Sequence, residues 1–284
     1  METGPLVSVD WLAQRLSDPD LRVVDATWYM PAEQRPGLEE FRQGHIPGAV
    51  FFDIDLISDR DTDLPHMLPP EAAFAAAASQ LGLGPSHQIV VYDGQGIFSS
   101  PRVWWSLRVM GFDKVAVLDG GLKAWRAAGL PIETGDPAPT PVESAARLRP
   151  HLVRSLDDVR QALDDPELQI VDARPSGRFL GEVPEPRPGL RGGHMPGACN
   201  LPWSAVIAPD GTLRAPDELR GAFALAGVNL ERPIITTCGS GVSAAVLALA
   251  LARLGVDQVP IYDGSWSEWG GHPDTPVVVG PSAR

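Results

Sequence analysis

The sequence has only two cysteines, Cys199 and Cys238, among its 284 residues. Such a low number excludes a disulfide-stabilised scaffold and favours free thiols in a reducing cytoplasm. The two cysteines and the six scattered histidines also lack the spacing of zinc ligands, so no metal is expected.

Long apolar segments and positive charge are scarce as well. No run of about 18 apolar residues occurs, which predicts no membrane-spanning helix, and the first residues, METGPLVSVDWLAQRL, lack the order of a secretory signal. The net charge is −13, which excludes a nucleic-acid partner because such a partner needs a basic surface. We therefore expect a cytoplasmic protein without a membrane partner, in which locally placed arginines hold any anionic substrate.

The chain contains an internal repeat. Residues 44–49 (GHIPGA) match residues 193–198 (GHMPGA), and residues 21–26 (LRVVDA) match residues 168–173 (LQIVDA). Three further pairs follow the same order: 7–12 with 154–159, 89–94 with 234–239, and 118–121 with 262–265. A duplicated domain is predicted. The predicted parts are domain one at 1–135, an extended Pro-rich linker at 136–149 and domain two at 150–284.

Each copy has the pattern of an α/β domain. Short, continuously apolar runs such as 89–92 and 115–118 are typical of buried parallel strands. Helical stretches are predicted at 71–81 and 101–110, and Ser8 and Ser155 stand where helix N-caps are expected. The alternation predicts, for each domain, a small doubly wound parallel sheet with helices on both faces. Ligands of such sheets bind beyond the carboxyl ends of the strands.

Cys238 lies at such a strand end. A strand is predicted at 234–237 and an apolar helix at 244–254, with the loop Cys238-Gly239-Ser240-Gly241-Val242-Ser243 between them. Successive backbone N–H groups and the positive end of the helix dipole make such a loop an anion-binding arrangement. A cysteine at its head is expected to react as a thiolate. The alternative, that Cys238 is simply a small buried residue, is less well supported by this setting.

The equivalent position in the first copy is Asp93, in the loop Asp93-Gly94-Gln95-Gly96. An aspartate cannot carry sulfur, so domain one is predicted to be catalytically silent. Cys199 precedes an apolar segment and is predicted to pack in the core. His45 and His194, like Asp25 and Asp172, recur in both copies and are therefore predicted to be structural.

These motifs together resemble the rhodanese family. The resemblance rests on GHIPGA and GHMPGA, the cysteine loop, and DGG or DGS followed by tryptophan, and it covers almost the whole chain. It implies two tandem rhodanese-like domains and a sulfurtransferase that forms a persulfide on Cys238 without a cofactor. The neutral loop resembles that of the 3-mercaptopyruvate sulfurtransferases, since thiosulfate-specific members commonly carry basic residues after the cysteine.

The resemblance also implies roles for further residues. Ser240 and Asp55 would complete a catalytic triad with Cys238, and His66 and Asp55 would reach the site from domain one. Arg178 and Arg187 would hold the donor's carboxylate and keto oxygen. Substrate contacts are further expected from the loop residues Gly239, Gly241, Val242 and Ser243. The sulfur would pass from the small-molecule donor to cyanide or to a thiol acceptor such as thioredoxin, with release of pyruvate.

Each role has a structural alternative. Ser240 could be a loop residue chosen for its size, Asp55 is indistinguishable from Asp53 by sequence alone, and His66 could be packed in a loop. The nearby Arg191 has no matched role and is predicted to face solvent. Trp104, Trp105 and Trp125 are predicted to be packing residues.

Three other functions were weighed. A thiosulfate sulfurtransferase is the alternative within the same class. A cysteine phosphatase typically needs an arginine six residues after the cysteine, where this chain has Ala244. A non-catalytic binding module would have lost its cysteine, as domain one has.

Overall fold

The computed structural model describes residues 4–282, which form two compact units. The first consists of residues 4–60, 68–149 and 208–213. Its strands are β1 (Leu6–Val7), β2 (Leu21–Asp25), β3 (Ala49–Phe51), β4 (Gln88–Tyr92) and β5 (Val115–Leu118). Its helices are α1 (Val9–Ala13), α2 (Gly37–Gln43), α3 (Glu71–Gln80), α4 (Ser100–Val109) and α5 (Gly121–Ala127), with a 3-10 turn at Pro31–Glu33.

The second unit consists of residues 61–67, 150–207 and 214–282. Its strands are β6 (Val153–Arg154), β7 (Gln169–Asp172), β8 (Cys199–Asn200), β9 (Ile234–Thr237) and β10 (Ile261–Tyr262). Its helices are α6 (Leu156–Ala162), α7 (Ser176–Phe179), α8 (Pro216–Leu225), α9 (Val242–Arg253) and α10 (Ser265–Trp269), with 3-10 turns at Pro150–Leu152 and Trp203–Val206.

The two sheets have the same topology. The strand order is β1-β5-β4-β2-β3 in the first and β6-β10-β9-β7-β8 in the second, and every pairing within them is parallel. Every residue of β5, β7 and β9 is buried. A strand buried on both sides belongs to a sheet that is covered on both faces. The predicted duplication and the predicted α/β class are confirmed.

Local sequence signals predicted the helix ends to within one or two residues. The N–H groups of Trp11 and Asp158 donate to the hydroxyls of Ser8 and Ser155, both at 3.2 Å, so the two serines are the predicted N-caps. Helices α3 and α4 begin and end within one residue of the predicted positions. Helix α9 begins two residues earlier than predicted, because Gly241 takes the N-cap position in a left-handed conformation (φ 78°).

The units are not simply the two halves of the chain. Residues 61–67 belong to the second unit and residues 208–213 to the first, and the two segments are equivalent in the repeat. In the first unit the N–H of Leu213 donates to Asp119 Oδ1 at 2.8 Å. The stretch at 136–149 has neither helix nor strand, and it is tied to the first unit by bonds such as Arg147 N to Met110 O (2.9 Å).

The tryptophan and histidine pairs that recur in the two repeats make packing contacts. Trp125 and Trp269 are fully buried, each in the core of its own unit. His45 stacks on Phe41 with its Nδ1 2.8 Å from the carbonyl oxygen of that residue, and His194 makes the same two contacts with Phe179. Trp104 and Trp105 are buried as predicted. Within residues 4–282 no helix is long and apolar enough to cross a membrane.

Candidate active site

Cys238 directly follows β9 and is 2% exposed. Its carbonyl oxygen accepts a hydrogen bond from Trp266 N, and that of Gly239 accepts one from Ser267 N, both at 2.9 Å. The first turn of α10 therefore holds these two carbonyls. Because C=O and N–H of a trans peptide point in opposite directions, the N–H groups of Gly239 and Ser240 face away from α10.

The other end of the loop is the beginning of α9. The first N–H groups of a helix have no partner within it, and they carry the positive end of its dipole. Gly241 and Val242 are buried and Ser240 is 6% exposed, whereas Gly239 and Ser243 are half-buried. No charged side chain belongs to the loop. Its positive potential therefore comes from backbone N–H groups.

Ser265 fixes the loop from the neighbouring helix. Its hydroxyl accepts a hydrogen bond from Cys238 N (3.3 Å) and donates one to Tyr262 O (2.8 Å). It does so at φ 50°, a left-handed conformation that favours glycine. The equivalent residue of the first repeat is Gly121, at φ 55°. Ser265 was not predicted from the sequence, although the change from DGG to DGS between the repeats is the signal that could have revealed it.

In the first repeat, the equivalent loop surrounds the carboxylate of Asp93, which is fully buried. Six hydrogen bonds of 2.6 to 3.1 Å reach this carboxylate. The donors are the N–H groups of Gln95, Gly96, Phe98, Ser99 and Ser100 and the hydroxyl of Ser100. A loop at this place in the fold can therefore direct five backbone N–H groups at one anionic group. Helix α4 begins seven residues after Asp93, and α9 begins four residues after Cys238.

Arg178 lies against the cysteine loop. A Cβ atom added to Gly239 would stand 3.0 Å from its Nη2 atom, so the absence of a side chain at position 239 makes room for the guanidinium. Arg178 Nε donates to Glu185 Oε2 at 3.1 Å, and Nη2 donates to the same oxygen. Its side chain remains 16% exposed. Arg187 lies in the loop that follows α7 and is half-buried.

The two aspartates after β3 are now distinguished. Asp53 Oδ1 accepts hydrogen bonds from the N–H groups of Asp55 (2.9 Å) and Leu56 (3.1 Å), so its carboxylate stabilises the turn. Asp55 is exposed, and its Oδ2 accepts a hydrogen bond from Trp28 Nε1 at 2.9 Å. Asp55 lines a cavity of about 400 Å³ in the first unit, together with Trp28 and Arg42.

His66 belongs to the segment 61–67 of the second unit, the unit that contains Cys238. It is 7% exposed and adopts φ 63°. A left-handed conformation is uncommon for a residue other than glycine, and such strained residues concentrate at ligand sites. The second unit therefore contains all the predicted site residues except Asp55, which lies in the first.

Two arginines of the second unit make contacts that were not predicted from the sequence. Arg191 was predicted to face solvent, and this is wrong, because its guanidinium donates to carbonyls of Trp269, Gly270, His272 and Thr275 and to the hydroxyl of Thr275. Arg191 thereby holds the segment that follows α10 in place. The sequence analysis gave Arg174 no role, yet its guanidinium is fully buried between Asp172 and Glu185.

Cys199 is the predicted packing residue. It is 5% exposed on β8, at the edge of the sheet, whereas Cys238 follows β9, and β7 lies between the two strands. Neither cysteine forms a disulfide. Among residues 4–282, no group of three or more His, Cys, Asp or Glu side chains is arranged to hold a metal ion.

Comparison with protein-family models matches the rhodanese-like domain twice, over residues 8–128 and 155–272. The chain belongs to the rhodanese family. Both rhodanese-like matches begin at a capping serine, Ser8 or Ser155. The family resemblance and the tandem fold predicted from the sequence are confirmed.

Relatives of this rhodanese-family chain carry sulfurtransferase names. It is 47% identical to the 3-mercaptopyruvate sulfurtransferase of Escherichia coli (strain K12), over 98% of this chain and 99% of that one. The human 3-mercaptopyruvate sulfurtransferase is 43% identical, with 93% and 91% covered. An Arabidopsis thaliana relative, named thiosulfate/3-mercaptopyruvate sulfurtransferase 1, mitochondrial, is 47% identical, with 96% and 78% covered.

Solved structures agree with these relatives. The crystal structure of SseA from Escherichia coli superposes with a TM-score of 0.86 at 44% identity, covering 93% of this chain and 99% of that one. Tum1 from Saccharomyces cerevisiae gives a TM-score of 0.90 at 32% identity, with 99% of both chains covered. The family and these relatives identify the chain as a sulfurtransferase, which confirms the predicted class.

Proposed function

We propose that the protein transfers sulfur from 3-mercaptopyruvate to a thiol or cyanide acceptor through a persulfide on Cys238. The observation that carries the proposal is the position of Arg178, whose guanidinium lies against Gly239, the residue after the nucleophile. A cationic fork beside a sulfur nucleophile suits a donor that has its carboxylate close to its sulfur. The loop itself is neutral, so it adds no second charge for a dianion such as thiosulfate.

In the first half-reaction, the Cys238 thiolate attacks the sulfur of the donor. An S–S bond forms and the C–S bond breaks, with its electron pair passing to carbon as the enolate of pyruvate. A proton converts the enolate to pyruvate, which leaves. The N–H groups of Gly239 and Ser240, which point away from α10, and those that begin α9 would stabilise the charge on the outer sulfur.

The proton is proposed to pass through Ser240, with Asp55 as its acidic partner. Asp55 suits this role better than Asp53 does, since Asp53 is committed to its turn and the Asp55 carboxylate is exposed. We assign Arg178 and Arg187 to the carboxylate and keto oxygen of the donor, and His66 to a further substrate contact. The other proposed contacts come from the loop residues Gly239, Gly241, Val242 and Ser243.

In the second half-reaction, an acceptor thiolate attacks the outer sulfur and Cys238 leaves as a thiolate. A small protein thiol such as thioredoxin, or cyanide, is the proposed acceptor. The residues named above supply this chemistry, and the proposal needs no metal or organic cofactor. We also propose a cytoplasmic location, because neither of the two cysteines forms a disulfide. Recovery of the protein from an organelle or from the medium would contradict that location.

Donor preference tests the proposal. We expect pyruvate release from 3-mercaptopyruvate to be lost in Cys238→Ser and retained in Cys199→Ser, which removes the other cysteine. The value of kcat/KM should be higher for 3-mercaptopyruvate than for thiosulfate. A thiosulfate sulfurtransferase is the second candidate, supported by the double name of the Arabidopsis relative. A preference for thiosulfate would establish that candidate instead.

A further inference from the structure

Four charged side chains of the second unit form one continuous chain behind the cysteine loop. Arg174 Nη2 is 2.6 Å from Asp172 Oδ2, and its Nη1 is 2.7 Å from Glu185 Oε1. The other oxygen of Glu185 binds Arg178. The order is therefore Asp172, Arg174, Glu185 and Arg178, with alternating charges that sum to zero.

The inner members of this chain are buried. The side chains of Asp172, Arg174 and Glu185 are at most 2% exposed, and only Arg178, at 16%, reaches solvent. Arg174 also stacks on Trp266, 4.0 Å from its ring centroid, and donates to Gly193 O at 2.8 Å. Burial opposes the charge of Arg174, but Asp172 and Glu185 outweigh it and raise the pKa of its guanidinium above the usual value. Glu185 is thus held by a fully buried, charged partner.

The first repeat lacks this row of linked charged side chains. Asp25 is equivalent to Asp172, and both accept a hydrogen bond from the N–H two residues later, but that residue is Thr27 in the first repeat and Arg174 in the second. In the first repeat Arg126, from α5, donates to Gly44 O, as Arg174 donates to Gly193 O. The first repeat therefore has the same strand order without these four linked charges.

The row of linked charges also determines which edge of the Arg178 guanidinium is available to a ligand. A guanidinium presents its donors along three edges, and Glu185 takes the edge formed by Nε and Nη2. The edge formed by Nη1 and Nη2 remains, on the side of Gly239. A carboxylate can bind there through two parallel hydrogen bonds.

We propose that Glu185 is a positioning residue: backed by Arg174, it holds Arg178 so that the Nη1–Nη2 edge receives the donor's carboxylate beside Cys238. The inference rests on the proposed function, because it takes the donor to be a small carboxylate. Glu185 contacts neither the donor nor the reacting sulfur. Its effect is transmitted through the orientation of Arg178.

Glu185→Gln tests the proposal, with Glu182→Gln as the matched control. An amide has one acceptor oxygen, so it cannot serve both guanidiniums, whereas Glu182 is exposed in the same segment and its replacement removes the same charge. We expect Glu185→Gln to raise KM for 3-mercaptopyruvate by about tenfold or more, with a smaller change in kcat. Glu182→Gln should behave as the unmodified protein. An unchanged KM in folded Glu185→Gln would overturn the proposal.

A second measurement does not depend on the donor. Iodoacetate and iodoacetamide alkylate thiols and differ in one carboxylate, so the ratio of their rates with Cys238 reports an oriented cation beside the thiol. We expect this ratio to fall in Glu185→Gln and to stay constant in Glu182→Gln. If the unmodified protein does not turn over 3-mercaptopyruvate, the proposed function fails, but the ratio still decides the role of Glu185.

A folding defect is handled by a second variant. Glu185→Asp keeps the charge but is one methylene too short to reach both arginines. It should show the same rise in KM and the same fall in the alkylation ratio, whereas a purely structural role would change only the melting temperature. Unmodified values of KM and of the ratio in Glu185→Asp would contradict the proposal.

Discussion

Asp93 Oδ2 accepts hydrogen bonds from both the backbone N–H and the hydroxyl of Ser100, at 2.9 and 2.6 Å. Four further N–H groups reach the same carboxylate, which is fully buried inside the loop of the first repeat. The second repeat has a thiol at the equivalent position. The same place in the fold therefore carries a hydrogen-bonded carboxylate in one unit and a thiol in the other.

Asp93→Asn is expected to destabilise the protein. The amide keeps the size of the carboxylate but directs an NH₂ donor at backbone donors, which leaves buried groups without acceptors. We expect the free energy of unfolding to fall by about 2 to 4 kcal/mol, measured by urea denaturation. The control Asp10→Asn removes the same charge from an exposed position in α1. Equal stability of Asp93→Asn and Asp10→Asn would contradict this role.

Replacements of Ser265 should reveal the free-energy cost of its left-handed backbone conformation. Ser265→Gly relieves the strain but loses the hydroxyl, as in the first repeat, whereas Ser265→Ala loses the hydroxyl and keeps the strain. We expect the alanine variant to be less stable than the glycine variant by about 1 kcal/mol. Urea denaturation of the two variants measures this difference. The opposite order would show that φ at this position relaxes freely.

Asp25 should make the stability of the protein depend on pH. Burial raises the pKa of Asp25 from 3.8 to about 6. Because the pKa is raised on folding, its contribution to stability is full below pH about 4 and is lost as the pH rises through 6. Asp25→Asn cannot ionise, so its stability should fall less than that of the unmodified protein between pH 4 and 8, by up to about 3 kcal/mol.

The contrast for this experiment is Asp172→Asn, which takes a charged partner from the buried Arg174. It should be less stable than the unmodified protein at pH 8, by about 3 kcal/mol. Denaturation curves across the pH range measure both variants. If Asp25→Asn and Asp172→Asn lower stability equally at pH 8, the difference inferred between the repeats is wrong.

Gly239→Ala should affect substrate binding. The new Cβ would stand 3.0 Å from Arg178 Nη2, so the guanidinium must move by a few tenths of an ångström. We expect KM for 3-mercaptopyruvate to rise by about threefold to tenfold, because a displaced arginine makes poorer paired hydrogen bonds. The control Gly221→Ala adds a methyl group where nothing lies within 4 Å. A KM in Gly239→Ala equal to that of the control would place the carboxylate elsewhere.

The fold was largely predictable because its signals are local. Continuous apolar runs gave the strands, and single side chains, Ser8 and Ser155, gave two helix starts. The Cys238 loop was found in the same way, since a strand end, two glycines and a helix follow one another in the sequence. The repeat then extended each local prediction to a second place in the chain.

What escaped prediction depends on contacts between distant segments. Arg191 was assigned to solvent because most arginines lie there, and its five acceptors come from residues about 80 positions away. Glu185 had no predicted role, because its proposed function depends on Arg174 and Arg178, which meet on either side of it in the structure. The hydrogen bonds around Asp93 were not predicted, because the Asp93 loop is longer than the Cys238 loop. Helix α4 begins seven residues after Asp93, whereas α9 begins four residues after Cys238.

Intact-mass measurement after incubation with 3-mercaptopyruvate and removal of the excess donor tests the central claim most directly. We expect a gain of one sulfur atom that cyanide removes, present in Cys199→Ser and absent in Cys238→Ser. A protein that gains no sulfur, or that gains it equally after the replacement of Cys238, would contradict the account.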